Sequence, residues 1–155
     1  MGLEIERKFL VNGDFMKDAY KSYHITQGYI CRGTGRSVRI RIRDDEAFIT
    51  IKGKASDSGL TRFEWEKPIP VKDAKDLLEL RDGGLIDKTR HLVKVGDHVF
   101  EVDEFHGDND GLVMAEVELG SEDEAFEKPQ WLGEEVTGDR RYYNSSLIAN
   151  PFKDW

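Results

Sequence analysis

The sequence has little of several features that mark specialised classes of protein. Its single cysteine, Cys31, excludes an internal disulfide and a zinc site built on several thiolates. Its apolar runs reach only about four residues where a membrane-spanning helix needs roughly 20, and its first residues are charged where a secretory signal peptide would be apolar. With 23 Lys and Arg against 31 Asp and Glu, the net charge of -8 argues against nonspecific nucleic-acid binding. We therefore expect a cytoplasmic protein with neither a membrane nor a nucleic acid as its partner.

What the chain has in abundance is charge. Charged residues make up 35% of its 155 positions, against about 25% in an average globular domain. Hydrophobic residues still amount to 38%, with 3 Trp, 5 Tyr and 8 Phe, which is enough for a packed core and excludes a disordered chain. The length fits a single domain spanning 1–155, and no linker or internal repeat divides it.

Apolar and polar residues alternate along much of the chain, which is typical of strands with one wet face. In 38–43, for example, three arginines alternate with Val and Ile. The pattern predicts eight strands, at 3–9, 25–31, 38–43, 49–52, 62–66, 88–90, 101–103 and 115–119. Helices are predicted at 14–20, at 72–80, at 122–128, and from a capping Asp139 onward, the last packing through Tyr142, Tyr143, Leu147 and Ile148.

The polar faces of these strands are almost entirely ionic. They could be the wet side of an ordinary sheet, but like charges two residues apart gain nothing from their proximity, which weakens that interpretation across eight strands. Eight antiparallel strands can instead close into a barrel without exposed edges. The inward-facing side chains would then be Glu4, Glu6, Glu64, Glu66, Glu101, Asp103, Glu116 and Glu118, with Lys8, Arg39, Arg41, Arg43, Lys52, Arg62, Lys88 and Arg90.

A barrel lumen that holds so many ions must be wet and built for a ligand, because desolvating each ion costs several kcal/mol. Clustered Arg and Lys match phosphate oxygens. Clustered carboxylates without His or Cys match a hard divalent cation, Mg²⁺ or Mn²⁺. A metal–polyphosphate complex satisfies both sets. The expected fold class is α+β: an eight-stranded antiparallel β-barrel that forms a tunnel, with helices packed outside.

Seven motifs in order resemble the CYTH superfamily, the triphosphate tunnel metalloenzymes, over essentially the whole chain. Glu4, Glu6 and Lys8 form the ExExK signature of that superfamily. The other motifs are RIRIR at 39–43, TIK at 50–52, EWE at 64–66, KTR at 88–90, EVD at 101–103 and EVE at 116–118. The tail at 135–147 is similar to that of short bacterial members.

The resemblance implies a divalent-metal-dependent triphosphatase. The phosphate-binding residues would be Lys8, Arg39, Arg41, Arg43, Lys52 and Arg90. The ligands of Mg²⁺ or Mn²⁺ would be Glu4, Glu6, Glu116 and Glu118 or a subset of them, with Glu64, Glu66 and Asp103 as further candidates. Tyr29 and Lys88 match a catalytic tyrosine–lysine pair of some short members, in which the ammonium makes the phenol a better general base. The alternative is that Tyr29 only lines the tunnel.

The members of similar length are inorganic triphosphatases, so the expected activity is hydrolysis of inorganic tripolyphosphate to pyrophosphate and phosphate. Relatives also include thiamine triphosphatases and class IV adenylate cyclases, and a non-catalytic polyphosphate- or nucleotide-binding module is an alternative from another class. The absence of an aromatic or amide cluster typical of a base pocket disfavours the cyclase. Eight tunnel carboxylates are more than a pure polyanion binder needs. Relatives are often dimers, so a homodimer is a further expectation.

Overall fold

Nine β-strands dominate the computed structural model, which describes residues 2–155. The strands are Gly2–Val11 (β1), Ala19–Gly33 (β2), Arg36–Arg43 (β3), Glu46–Ala55 (β4), Thr61–Ile69 (β5), Ile86–Val95 (β6), His98–Phe105 (β7), Val113–Glu118 (β8) and Leu132–Glu135 (β9). The α-helices are Val71–Leu78 (α1) and Asn144–Ala149 (α2), and single 3₁₀ turns lie at Met16–Asp18, Gly107–Asn109, Arg140–Tyr142 and Phe152–Asp154. Within 2–155, no helix is both long enough and apolar enough to span a membrane.

Eight of the strands close into an antiparallel barrel. Their order is β5-β4-β3-β2-β6-β7-β8-β1, and β1 returns to β5 through the register that pairs Gly2 with Glu64 and Ile5 with Thr61. The predicted eight-stranded tunnel barrel is thereby confirmed. The ninth strand, β9, pairs with the end of β1 and was not predicted, because four residues are too few to display a period of two.

The hydrophobic core lies outside the barrel wall rather than in its lumen. Three clusters fill the space between the wall and the covering segments, and each large apolar side chain that is fully buried contributes about 1.5–3 kcal/mol. The clusters are centred on Phe9, Phe100 and Trp131, on Phe105, Met114 and Leu147, and on Ile40, Ala74 and Leu78. Since the apolar sides of the strands are used outside, their charged sides face the lumen.

Helix α1 forms where the sequence predicts a helix. It follows Pro70, whose fixed φ suits a helix entry and whose carbonyl accepts a hydrogen bond from the Ala74 N–H at 3.0 Å. Ala74 and Leu78 lie one turn apart and pack against the barrel wall. The helix ends two residues earlier than predicted, and Leu80 is 68% exposed.

The prediction of a helix at 122–128 is wrong, because the structure has turns and irregular backbone there. The Phe126 ring packs edge-on against Phe9 and Phe100, with ring centroids 5.9 and 6.1 Å apart. The Glu124 carboxylate accepts the Gly120 N–H at 2.9 Å. These tertiary contacts outweigh the local helix propensity. The helix predicted at 14–20 is likewise reduced to one 3₁₀ turn, since β2 begins at Ala19.

The last predicted helix is divided in two. The Asp139 carboxylate accepts the backbone N–H two residues later, at 3.1 Å, and so caps a 3₁₀ turn instead of an α-helix. The α-helix begins only at Asn144. Tyr142 and Leu147 are buried in the outer core as predicted, whereas Tyr143 lines the tunnel instead of packing outside.

Candidate active site

The lumen of the barrel is a charged tunnel with a cavity of about 260 Å³. Of the sixteen charged side chains that the sequence predicts to face inward, fifteen line this cavity. The exception is Asp103, which is 2% exposed and buried against Lys88 and Arg90. The alternation of the strands therefore locates nearly the whole charged lining.

Four cations on β3 and β6 form what we call the basic cluster: Arg39, Arg41, Lys88 and Arg90, with Asp103 as its buried counter-ion. Arg90 donates to both oxygens of Asp103, from Nε at 2.8 Å and from Nη2 at 2.9 Å. Lys88 Nζ donates to the same carboxylate at 2.7 Å. Burial alone would raise the pKa of Asp103, but the charges of Arg90 and Lys88 lower it to about 2. Because both oxygens are in use, we assign Asp103 to the basic cluster rather than to the metal-binding carboxylates.

Besides Asp103, the partly exposed Glu66 lies beside Arg39 and the partly exposed Glu101 lies beside Arg90. Three carboxylates do not neutralise four cations. Burial lowers the pKa of Lys88 to about 7, and the positive charges of Arg90 and Arg41 act in the same direction. Burial, followed by the charges of Arg39 and Arg90, also lowers the pKa of Arg41, although its guanidinium remains protonated. The basic cluster therefore has an excess of positive charge that an anion in the tunnel would relieve.

Arg39 has more hydrogen-bond donors than its neighbours have acceptors. Its Nη2 donates to Thr50 Oγ1 at 3.1 Å and lies 3.5 Å from the Glu66 carboxylate. Its Nε is buried without a hydrogen-bond partner in residues 2–155, and so is the Nε of Arg43 in the same tunnel. A buried donor left without an acceptor costs about 1–3 kcal/mol. Arg39 and Arg43 therefore each keep a donor that no residue of the described chain uses.

Three carboxylates on β1 and β8 form what we call the acidic cluster: Glu4, Glu6 and Glu116. Lys52 Nζ donates to Glu4 at 2.9 Å, and Lys8 Nζ lies 3.6 Å from Glu116. Glu6 is hydrogen-bonded to both of the other carboxylates. The cluster thus has two ammonium groups for three acids.

Because there are fewer ammonium groups than acids, the pKa of one acid is raised and the pKa values of the other two are lowered. Burial raises the pKa of Glu6 well above its ordinary value, and the negative charges of Glu116 and Glu4 raise it further. Burial acts in the same direction on Glu4, but Lys52 outweighs it and lowers the pKa of Glu4 to about 2. For Glu116, Lys8 likewise outweighs burial, so its pKa is well below the ordinary value. The raised pKa of Glu6 therefore favours its protonated form, whereas Glu4 and Glu116 stay ionised.

The donor chemistry of the acidic cluster fits a hard divalent cation. Mg²⁺ and Mn²⁺ prefer carboxylate oxygens, and a cation would neutralise the repulsion that the proton on Glu6 now relieves. Within the described chain, no three potential ligands are already arranged around one point, so metal binding requires these side chains to reorient.

The remaining predicted acids lie around this cluster. Burial, then the charge of Glu4, raises the pKa of Glu64 to about 7, and the same two causes raise the pKa of Glu118. Glu66 instead accepts a hydrogen bond from Thr50 Oγ1 at 2.7 Å. Glu64 and Glu118 thus face the same negative charge as the acidic cluster, whereas Glu66 belongs with Arg39.

Tyr29 is 4% exposed and lines the tunnel on β2, paired in register with Arg39. Of the hydrogen bonds in residues 2–155, none joins Tyr29 to Lys88. Lys88 Nζ donates instead to Asp103 and, at 2.9 Å, to Asn144 Oδ1. The catalytic pair of Tyr29 and Lys88 therefore stays a prediction.

Two uncharged residues that the sequence analysis missed complete the basic cluster. Gln27 is fully buried, its Oε1 accepts a hydrogen bond from Arg41 Nε at 2.7 Å, and its Nε2 donates to Asn144 Oδ1 at 3.1 Å. Gln27 could have been found, because it lies two residues before Tyr29 and so on the same face of the strand. Asn144 could not, since nothing in the spacing of the tail relates it to the tunnel.

A closed antiparallel barrel with a positive and a negative cluster in its lumen defines a class of protein: a tunnel that binds a polyanion together with a cation. The model of the CYTH domain family matches residues 2–146. The chain therefore belongs to the CYTH domain family, and the resemblance carried by its seven motifs is confirmed.

Inorganic triphosphatases are similar to this chain over nearly its full length. An inorganic triphosphatase from Acetivibrio thermocellus is 46% identical, covering 100% of this chain and 99% of its own. One from Nitrosomonas europaea is 41% identical, covering 95% and 97%. The crystal structure of the inorganic triphosphatase NE1496 superposes with a TM-score of 0.68 at 37% identity, covering 96% of this chain and 95% of that one. The similarity thus spans the segments of the chain that carry the basic and the acidic cluster.

Proposed function

We propose that this chain hydrolyses inorganic tripolyphosphate to pyrophosphate and phosphate, with Mg²⁺ or Mn²⁺ as cofactor. The observation that carries the proposal is one cavity of about 260 Å³ with clusters of opposite charge on its wall. Small-molecule pockets usually measure about 300–1,000 Å³, so this cavity suits a compact ligand. Tripolyphosphate supplies the anion that the basic cluster lacks, and its divalent cation supplies the charge that the acidic cluster lacks. The relatives named inorganic triphosphatase support the same activity.

The surroundings of the tunnel offer little to a nucleoside. A groove of about 930 Å³ adjoins the tunnel and shares Ser37, Arg62, Tyr143 and Ser145 with it. Tyr143 is the only aromatic residue of the described chain in this groove, and its ring centre already lies 5.0 Å from Lys8 Nζ and 5.3 Å from the Arg62 guanidinium carbon. The groove thus offers a base one aromatic ring that already contacts two cations, which favours tripolyphosphate over ATP and thiamine triphosphate.

In the proposed complex, the tunnel cations bind phosphate oxygens and the carboxylates hold the metal ion. The phosphate-binding residues are Lys8, Arg39, Arg41, Arg43, Lys52 and Arg90. The metal ligands come from Glu4, Glu6 and Glu116, with Glu64 and Glu118 beside them. When bound, the metal ion neutralises charge on the phosphoryl oxygens and activates water for attack on phosphorus. The cations orient the chain of phosphates before the reaction begins.

Lys88 is the residue best placed to handle a proton. With a pKa of about 7, caused by burial and the neighbouring arginines, it gains or loses a proton near neutral pH. Its ammonium form also stabilises the negative charge of the leaving phosphate group. We keep Lys88 and Tyr29 as the proposed catalytic residues.

The test is a substrate panel of tripolyphosphate, ATP and thiamine triphosphate in Mg²⁺ or Mn²⁺, with phosphate, pyrophosphate and cyclic AMP measured. We expect the fastest turnover with tripolyphosphate and none after chelation of the metal. Cyclic AMP as the main product from ATP would identify a cyclase, and fastest turnover of thiamine triphosphate would identify that hydrolase. Tripolyphosphate binding without phosphate release would identify a binding module.

The setting of the activity is also proposed. We propose one domain spanning 1–155, supported by a barrel in which β1 pairs with β8 near the other end of the chain. A cytoplasmic location is supported by the lone, exposed and unpaired Cys31, which suits a reducing compartment. A homodimer is proposed from the resemblance alone, and light scattering of the purified protein tests it.

A further inference from the structure

Asn144 is the first residue of α2 and projects from outside the barrel into the tunnel lining. Its Oδ1 accepts two hydrogen bonds, from Lys88 Nζ at 2.9 Å and from Gln27 Nε2 at 3.1 Å. Tyr142 and Leu147, on either side of it in sequence, are buried in the outer core and anchor this segment. Asn144 is thus a fixed point of contact between the C-terminal segment and the basic cluster.

The orientation of the Asn144 amide follows from its neighbours. Arg41 and Lys88 have donors only, so Gln27 must turn its Oε1 toward Arg41 and its NH₂ toward Asn144. Asn144 then receives donors from both Gln27 and Lys88, which requires its oxygen on that side. Its Nδ2 consequently points the other way, and no residue within 2–155 accepts a hydrogen bond from it. An amide N–H₂ on a tunnel-lining residue is left without an acceptor.

We propose that Asn144 is a positioning residue for Lys88 and that its Nδ2 donates a hydrogen bond to a phosphoryl oxygen of the bound triphosphate. This inference rests on the proposed function. The carbonyl oxygen holds the Lys88 amine, while the opposite side of the same amide binds the substrate. Gln27 fixes the amide from behind without lining the cavity. The relative position of Lys88 and the phosphate therefore depends on a neutral side chain outside the charged motifs.

The test compares the steady-state kinetics of tripolyphosphate hydrolysis in wild type, Asn144→Ala, Asn144→Asp and Asn150→Ala at saturating Mn²⁺. Asn150 is the matched control, an exposed asparagine at the end of the same helix. Asn144→Ala removes both functions, so we expect kcat to fall about tenfold and KM to rise about fivefold. Asn144→Asp keeps an acceptor for Lys88 but loses the N–H donor and adds a negative charge. We expect Asp to restore much of kcat while KM rises at least as far as in the Ala variant.

A binding measurement separates this inference from the proposed function. Calorimetry with a non-hydrolysable imido analogue of tripolyphosphate reports the Nδ2 contact without turnover, and thermal unfolding verifies that each variant is folded. Weaker analogue binding by Asn144→Ala, with wild-type binding by Asn150→Ala, supports the contact even if wild type hydrolyses a different triphosphate. If Asn144→Ala matches Asn150→Ala in kcat, KM and analogue affinity, the inference is overturned. Equal kcat losses in the Ala and Asp variants would overturn the positioning of Lys88.

Discussion

The two charged clusters of the tunnel are organised in opposite ways. In the basic cluster, Arg90 and Lys88 share the fully ionised Asp103 through three hydrogen bonds of 2.7 to 2.9 Å. In the acidic cluster, three carboxylates share two lysines, and burial, followed by the charges of Glu116 and Glu4, raises the pKa of Glu6 well above its ordinary value. The cations of the basic cluster are fixed by hydrogen bonds to their own counter-ion. The acidic cluster has more carboxyl groups than counter-ions.

This difference indicates two separate tasks. A phosphate-binding wall benefits from preorganisation, because cations already fixed in place do not need to reorder when the anion arrives. A metal-binding wall benefits from carboxylates that a proton and two ammonium groups balance, because an entering cation can take the place of that proton. Removing a member of the basic cluster should therefore destabilise the folded protein, whereas removing a member of the acidic cluster should not.

The largest effect should come from Asp103→Asn, which removes the counter-ion of the basic cluster. Arg90 would keep only its contact with the partly exposed Glu101, and Lys88 would have to lose its proton or stay buried without a counter-ion. We therefore expect the free energy of unfolding to fall by about 3–5 kcal/mol. Chemical denaturation of the purified variant measures this. The control is Glu101→Gln, which removes a half-exposed partner of the same Arg90 and should cost less than about 1 kcal/mol. Equal losses in the two variants would contradict a structural role for Asp103.

Glu6→Gln, in the acidic cluster, should lower activity without lowering the stability of the metal-free protein. A glutamine resembles the protonated glutamate, so the unfolding temperature of the metal-free protein should stay within error of wild type. Activity should fall about a hundredfold or more, because the metal site loses a ligand. Stabilisation by Mn²⁺ with pyrophosphate should also be lost. Glu134→Gln, exposed on β9, is the control that should change neither. A marked drop in metal-free stability for Glu6→Gln would show that Glu6 is structural.

Arg39→Ala sharpens the description of the basic cluster as a phosphate-binding wall. The substitution removes a charge-assisted contact worth about 1.5–3 kcal/mol, so we expect KM for tripolyphosphate to rise about tenfold or more. Steady-state kinetics at saturating Mn²⁺ provides the measurement. Arg36→Ala, an exposed position on the same strand, should leave KM unchanged. If the two variants behave alike, Arg39 has no role in binding tripolyphosphate.

The smallest effect concerns pH. The pKa of Glu64 is raised to about 7, so the folded metal-free protein binds this proton more tightly than the unfolded chain does. Stability from Glu64 is therefore complete below the ordinary value of 4.5 and is lost as pH rises through 7. We expect the unfolding temperature in chelator to decline between about pH 5 and about pH 8, and Glu64→Gln to decline less. A pH dependence identical in the two proteins would refute this coupling.

The barrel and its charged lining could both be predicted from one signal, the alternation of apolar and charged residues along the strands. In a strand such as β3, the alternation that puts Ile40 in the outer core necessarily puts Arg39 and Arg41 in the lumen. The ionic character of the inner face then indicated the ligand. Local pattern and long-range structure agree in these strands, and of the sixteen charged residues predicted to face inward only Asp103 does not line the cavity.

The remaining features depend on contacts that no local pattern records. Whether Asp103 holds a metal or a lysine depends on the register of β6 and β7, which pairs it with Arg90. Phe126 is held by distant rings rather than by a helix of its own. Asn144 reaches the tunnel only because the outer core sets the position of α2. The position of each of these residues is determined by a tertiary contact that the local sequence does not indicate.

The position of β1 has a consequence for how the chain is made. Strands β2 to β5 pair in sequence order, so Arg39 and Arg41 are set by neighbours that leave the ribosome together with them. Glu4 and Glu6 lie on the first strand to be synthesised, yet Glu6 pairs with Glu118 in β8. Pairing over so long a separation forms late, because a large loop must close first. A nascent chain that has emerged only as far as β7 therefore carries the arginines proposed to bind phosphate before it has a complete set of carboxylates.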